Sequence, residues 1–421
     1  MDSHRFLALA LAAAFRALPC AAAAPDWRLE IDQVTSGPGH HFFGYIGHVQ
    51  NIPWNGNGRY IVGLRTAFQD RMPTPADAAD VVLIDTARKN TVVVIDRTRA
   101  WNFQQGTMFY WNPKAADTQV FFNDRDPKTN QTFSVLFDIG ARKRIREYRY
   151  PDVHFANSGV AQNGGFFLGL NYGRLARLRP VTGYPGAFDW NATDPAPAND
   201  GIFLVNVETG RQRLLISYRE MLVRLKPKHP EMEGVPLFIN HTLWNRAGNR
   251  IYFYVRGNFE KPDRVNIPCT IRPDGSGFTE EPVFIGGHPE WESESRMIGT
   301  VDGKQILYDV DRKAVVGTIG TKAAFPDPGS DIALSPDSQW LASGFRVKAE
   351  NFYTIFRRPD SSFETTTGFP HPGWTSGDLR VDGAPCWNRT SDQVLFTAIA
   401  DDRDRTRQMF RIRVLRKGQG K

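Results

Sequence analysis

The chain reads as an all-β protein, a seven-bladed β-propeller, and three observations carry that reading. A polar turn with Asn, Asp or Gly, followed by a short strand rich in β-branched and aromatic residues, recurs from end to end. A second pattern of strand, charged turn and strand is interleaved with it. The two alternate at roughly 45 to 60 residues, the spacing of four-stranded propeller blades, and strong helical periodicity is nearly absent.

The first pattern is seen in Trp54-Asn-Gly-Asn-Gly-Arg-Tyr-Ile-Val62, Trp244-Asn-Arg-Ala-Gly-Asn-Arg-Ile-Tyr-Phe253, Leu334-Ser-Pro-Asp-Ser-Gln-Trp-Leu-Ala342 and Trp387-Asn-Arg-Thr-Ser-Asp-Gln-Val-Leu-Phe396. Each reads as a hairpin turn feeding an inner strand. The second pattern runs through Val81 to Val94, Leu136 to Arg144 and Phe203 to Arg213. About seven blades fit between Pro38 and Arg413. The one helical candidate is Ser217 to Leu225. Two segments, Arg174 to Asp200 and Phe325 to Ser330 with its flanks, are too long and polar for plain turns and are expected over one face of the disc. A pair of β-sandwiches would need a linker, and no low-complexity stretch supplies one.

At the N-terminus, Arg5 precedes an apolar stretch from Phe6 to Phe15 and a small-residue run, Cys20 to Ala24. This is a signal peptide over residues 1–24, with cleavage near Ala24 and a single propeller domain over 25–421. Pro19 before Cys20 argues against a lipoprotein anchor. The apolar core is too short to span a bilayer and no later segment approaches the ~20 apolar residues required. The expected product is soluble and secreted, extracellular or periplasmic, with no membrane partner. Two cysteines remain, Cys269 and Cys386, as one disulfide or as two buried thiols. Sequons at Asn130, Asn191, Asn240 and Asn388 would matter as glycoprotein sites only in a eukaryotic host.

The formal charge is +7, but Lys and Arg are spread among Asp and Glu rather than gathered in one block. That argues against a nucleic-acid partner and fits a basic surface meeting an acidic oligosaccharide or polysaccharide. No Gly-x-Ser-x-Gly elbow, His-Glu-x-x-His helix, phosphate loop or paired-cysteine knuckle is present. Candidate chemistry therefore has to come from side chains that different blades bring together.

His40 and His41 precede the first inner strand, with His48 close behind; adjacent strand residues point to opposite faces, so only one of the pair can face a central site. His241 and His288 stand at comparable blade starts. Histidines from separate blades at a channel mouth suit proton transfer or metal binding, although each can equally cap a turn. His154, His229 and His371 lie in blander contexts. Arg125, Arg174, Arg179, Arg256 and Arg380 occupy strand ends from which a planar guanidinium could grip a carboxylate. Trp101 to Gly106 and Tyr110 supply aromatic faces and amides.

Gly37-Pro-Gly-His-His-Phe-Phe-Gly-Tyr45, Phe68-Gln-Asp-Arg-Met-Pro73, Arg99-Ala-Trp-Asn-Phe-Gln-Gln-Gly106, Asn123-Asp-Arg125 and Asn240-His-Thr242 together resemble the propeller proteins related to oligogalacturonate lyases, including lyases that release rhamnose from glucuronate. The resemblance covers nearly the whole chain after the leader. It implies β-elimination: a base removes the C5 proton of a uronic acid, the C4 oxygen leaves, and arginines or a metal stabilise the enolate-like charge. On that resemblance His41 and His241 are the base and acid, Tyr110 a proton donor, and Arg125 and Arg174 hold the carboxylate, with His288 and Arg380 as further substrate contacts. Where related chains carry histidines at the starts of the last two blades, this one has Asp331 and Ala384. A divalent metal is therefore possible but not required, and the weight moves to a metal-independent, arginine-assisted mechanism or to lost activity. The rival readings are a non-catalytic carbohydrate- or protein-binding propeller, and a glycoside hydrolase built on Asp124, Asp331 or Asp382, which nothing in the sequence pairs.

Overall fold

The computed structural model describes residues 25–44 and 51–416. Seven antiparallel sheets form a ring of seven blades, which is the expected propeller. Their innermost strands are His40–Phe42, Tyr110–Trp111, Ala156–Val160, Phe238–Trp244, Gly286–Trp291, Asp331–Leu334 and Cys386–Trp387, for blades 1 to 7 in order. The two middle strands of a blade are covered on both faces by neighbouring blades, so they read as continuous apolar runs such as Val120-Phe121-Phe122. Outer strands such as Lys143–Tyr148 are rich in exposed and half-buried charge, Lys143, Arg144, Arg146 and Glu147, which protects an open sheet edge.

The Trp-Asn repeats have a physical meaning that the structure corrects by one strand. Each turn leaves the innermost strand and feeds the second strand of its blade. The asparagine carbonyl closes the turn by accepting backbone N–H groups: Asn55 from Tyr60 at 2.9 Å, Asn245 from Asn249 and Arg250 at 3.0 and 3.1 Å, Asn388 from Asp392 and Gln393 at 3.1 and 3.0 Å. In blade 6 the Ser335 hydroxyl does the same for Trp340 N–H at 2.9 Å. The tryptophans serve the junctions between blades. Trp111, Trp244, Trp291 and Trp387 donate their indole N–H to Pro53, Gly159, Leu243 and Ala333 carbonyls of the preceding blade, at 2.8 to 3.0 Å.

Blade 7 departs from the expected count beginning at Pro38. Its outermost strand is Trp27–Gln33, paired residue for residue with Arg416 to Phe410, so the two ends of the described chain close the ring. The expected helix is present as Tyr218–Leu225, with the Ser217 hydroxyl accepting from Glu220 N–H at 3.0 Å. The segment from Arg174 to Asp200 is not purely loop: Asn171 caps a helix over Tyr172–Leu178 before an irregular run inserted between the second and third strands of blade 3.

Cys269 and Cys386 are both buried and free, on blades 4 and 7, so the alternative of two thiols holds. Two of the sequons are closed to modification in the folded chain, because Asn240 and Asn388 are buried and their side chains are claimed by Arg256 and by the blade 7 turn. The leader, together with Tyr45 and His48, lies outside the described residues. Among the described residues no helix is long and apolar enough to cross a membrane.

Trp244→Phe strips the Gly159 carbonyl of its donor. The expected cost is about 1–3 kcal/mol in unfolding free energy, the penalty of an unsatisfied buried acceptor, read from the shift in urea midpoint with an unchanged β spectrum.

Candidate active site at the channel mouth

Two irregular inner strands aim histidines at one another. In blade 4 the register with the second strand slips between Asn240 and Leu243, and His241 sits at φ 65°, a left-handed conformation uncommon outside glycine. In blade 5 the slip falls between Gly286 and Glu290. There Gly287 adopts φ 71°, and a Cβ on it would meet the Gly329 and Ser330 carbonyl oxygens at 3.3 and 3.4 Å. The two bulges turn the rings edge to face, with centroids 5.3 Å apart.

His288 Nδ1 forms an ion pair with Asp331, the first residue of the blade 6 inner strand. Asp382, in the segment entering blade 7, lies within the field of both, and Arg380 Nε donates to it at 2.8 Å while Nη2 of the same arginine donates to Gln104 at 3.0 Å. His288, Asp331, Arg346, Arg380 and Asp382 line a cavity of about 210 Å³. Arg346 ties the segment down through the Thr375 and Val381 carbonyls and donates to Asn351 at 2.9 Å. The charge of Arg256, on the second strand of blade 4, is felt at His288. Arg256 is held by neutral amides, Asn240 at 2.5 Å and Asn266 at 2.8 Å, and lies over the Tyr254 and Phe259 rings, so among the described residues no carboxylate pairs with it.

Burial pulls the His288 imidazole down, but the Asp331 charge and hydrogen bond, with Asp382 beyond, outweigh it and raise its pKa. Burial and the neighbouring Asp331 charge likewise raise the Asp382 carboxyl, against the pull of Arg380 and His288. Burial lowers Arg256 to about 10, still a cation at neutral pH.

Of the residues singled out from sequence, the structure brings together His241, His288, Arg256, Arg380, Asp331 and Asp382, and it places the others elsewhere. Arg125 spends its guanidinium on Asn130 and the Pro75 carbonyl. Arg174 is fully buried. It braces the blade 3 insertion by donating to the Leu237, Asp194 and Pro195 carbonyls while stacking over Tyr218; at 1% and 0% exposure, Arg125 and Arg174 are both enclosed in the fold away from the mouth cavity. The Tyr110 hydroxyl is buried inside the ring near Tyr184 and Cys386, and burial holds its pKa well above the ordinary value. His41 lies on blade 1, with its ring on Gln408 at 2.9 Å and its charge environment set by Arg65, outside the mouth cluster. His40 is also buried there, accepting from Arg407 N–H at 3.2 Å. Arg179 is paired with Glu260. Asp124 is bound to Arg144 at 2.9 Å on blade 2, away from Asp331 and Asp382. Asp331, expected only as the replacement of a histidine, is instead the ion-pair partner of His288; its place at a blade start is the signal the sequence offers.

No family model matches the chain, and no curated protein sequence matches it. Among solved structures, an oligogalacturonate lyase in complex with manganese superposes with a TM-score of 0.62 at 11% identity, covering 93% of this chain and 97% of that one. Chains of a mitotic checkpoint complex (TM-score 0.47, 12% identity, covering 98% of each chain) and the β-propeller domain of Cps50 (Swd1) from Myceliophteria thermophila (0.46, 12%, covering 91% and 99%) are also similar. At 11% identity the likeness to the lyase structure is one of fold, and with the seven sheets of the ring it defines the chain as a seven-bladed propeller.

The residues at the mouth do not fit a histidine-rich metal site. Ala384 has no donor atom and Asp331 is engaged by His288. Among the described residues no group of three or more His, Cys, Asp or Glu side chains is arranged to hold an ion.

Because the folded-state pKa of His288 is raised, its pairing with Asp331 contributes stability that is complete below the ordinary imidazole value of about 6.5. That contribution is lost as pH rises through the raised pKa. Asp331→Asn should therefore flatten the fall in denaturant midpoint on raising pH from about 6.5, and histidine NMR should report a lowered His288 titration midpoint in the variant.

Proposed function

We propose that this chain is an exported lyase that cleaves a bond to a uronic acid, glucuronate or galacturonate, by β-elimination at the channel mouth. The observation that carries the proposal is the contact of His241 with an Asp331-held His288, beside an arginine, Arg256, that no carboxylate neutralises. The reaction needs a base, an acid and a cation for the substrate carboxylate, and the cluster supplies one of each.

In the proposed cycle, Arg256 grips the uronate carboxylate and acidifies the C5 proton. His241 takes that proton, the C5–H electrons form the C4–C5 double bond, and the C4–O bond breaks. The His288 imidazolium protonates the departing oxygen. Both histidines regain their starting states by exchanging one proton with water. Asp331 fixes the His288 ring and favours its charged form. No redox partner or metal enters the balance.

The Asp331 and Asp382 carboxylates favour a second reading. Burial and mutual repulsion keep a proton on Asp382 to higher pH, and an acid beside an ionised carboxylate is the requirement of a glycoside hydrolase.

One assay separates the readings. On glucuronate- and galacturonate-ended oligosaccharides the lyase yields a conjugated product absorbing in the ultraviolet, undiminished by chelator. His241→Ala or Arg256→Met should lower its rate by about 10²-fold or more. New reducing ends without ultraviolet absorbance, lost in Asp382→Asn, would mark hydrolysis. No product from any uronide would leave a binding propeller.

A further inference from the structure

A second basic recess lies on blade 1, with no lining residue in common with the mouth cavity. It is a groove of about 850 Å³ lined by His41, Arg65, Asp77, Asp80, Arg97 and Arg99. Its charges do not balance. Arg65 and Arg97 share the one Asp80 carboxylate, at 2.7 and 2.9 Å. Asp77 is turned to Arg71 outside the groove, at 2.6 and 3.0 Å. Among the described residues the Arg99 guanidinium makes no hydrogen bond or ion pair; only its backbone N–H is engaged, by Asp124 at 2.9 Å. Three guanidinium groups thus face one shared carboxylate.

His41, 3% exposed, adds a neutral acceptor at the groove floor. The Gln408 amide nitrogen donates to the Gly37 and Gly39 carbonyls and to the Thr406 hydroxyl, at 3.2, 2.8 and 2.8 Å, which fixes its oxygen as an acceptor. That oxygen receives the Thr35 hydroxyl at 2.7 Å and His41 Nδ1 at 2.9 Å. The proton of the neutral ring is therefore on Nδ1, and the lone pair is on Nε2, which among the described residues has no hydrogen-bond partner. Burial, reinforced by the Arg65 charge, lowers the ring's pKa and keeps it neutral.

Unneutralised guanidinium groups beside a buried nitrogen lone pair suit a ligand that carries a carboxylate and a hydroxyl donor on one small frame. We propose that the blade 1 groove is a second binding site for a carboxylate-bearing sugar. Its carboxylate meets Arg99 with Arg97 or Arg65, and a ring hydroxyl donates to His41 Nε2. The site is independent of any reaction at the mouth.

Titration calorimetry of the full chain with monomeric glucuronate, which offers no glycosidic bond to cleave, tests this. Arg99→Gln and, separately, Arg97→Gln should weaken one binding event by at least about 10-fold, the loss of a charge-assisted hydrogen bond. Activity at the mouth should be unaffected, and matching circular dichroism checks the fold. His288→Ala should leave the groove event intact, so failure of the mouth reading does not remove it. Glucuronate should also shift the His41 Nε2 resonance, whereas glucose and inorganic sulfate should not. Unchanged affinity in both arginine variants would overturn the site. Sulfate acting as well as glucuronate, with the same resonance shift, would overturn the sugar assignment.

Discussion

An indole N–H buried between two sheets has to find a carbonyl, and that requirement sets the spacing of the blades. Trp111, Trp244, Trp291 and Trp387 each reach back to the preceding blade from the end of an innermost strand. Leaving such a group unpaired costs more than the bond itself gains, so each contact holds its junction to one geometry. Blades 2 and 3 are held by a different device, reciprocal amide bonds in which Asn123 donates to the Asn157 carbonyl and accepts Asn157 N–H, at 2.8 and 3.0 Å. The ring is then closed by the strand Trp27–Gln33, whose leading indole donates to Ser362 of blade 6 at 3.1 Å.

A frame fixed at the far end of each inner strand leaves freedom ahead of it. The register slips of blades 4 and 5 fall just before that fixed end, up to Leu243 and up to Glu290, and they turn His241 and His288 from sheet positions into a facing pair. The neighbouring blades supply charge of both signs: Asp331 on His288, Asp382 on Arg380, and Arg256 held by amides alone. Such a mixed field keeps an imidazolium and a guanidinium charged within one small recess, a combination suited to moving protons beside an anion.

The fold was legible because its signals are local and repeated. A Trp-Asn dipeptide marks a turn whether or not the rest of the blade is known, and buried middle strands announce themselves as apolar runs. The closing strand is not legible because its partners, Phe410 to Arg416, lie at the other end of the chain. The site was legible only in part. His241, His288 and Arg380 stood out as blade-start or strand-end residues. Arg125 and Arg174 looked identical in sequence to ligand-binding arginines, because nothing local distinguishes a guanidinium that caps backbone carbonyls from one facing a cavity. Asp331 was read as a lost ligand because the pairing with His288 is made between blades.

The central claim is that a uronate binds at the mouth with its reacting carbon against the histidine pair. A crystal structure of the His241→Ala chain with a glucuronate-ended oligosaccharide tests it most directly. The account predicts a sugar carboxylate on Arg256, the C5 hydrogen turned to the space left by the His241 ring, and the glycosidic oxygen beside His288. A glycosidic bond lying between Asp331 and Asp382 with its carboxylate far from any arginine, or a mouth empty of sugar at saturating ligand, would contradict it.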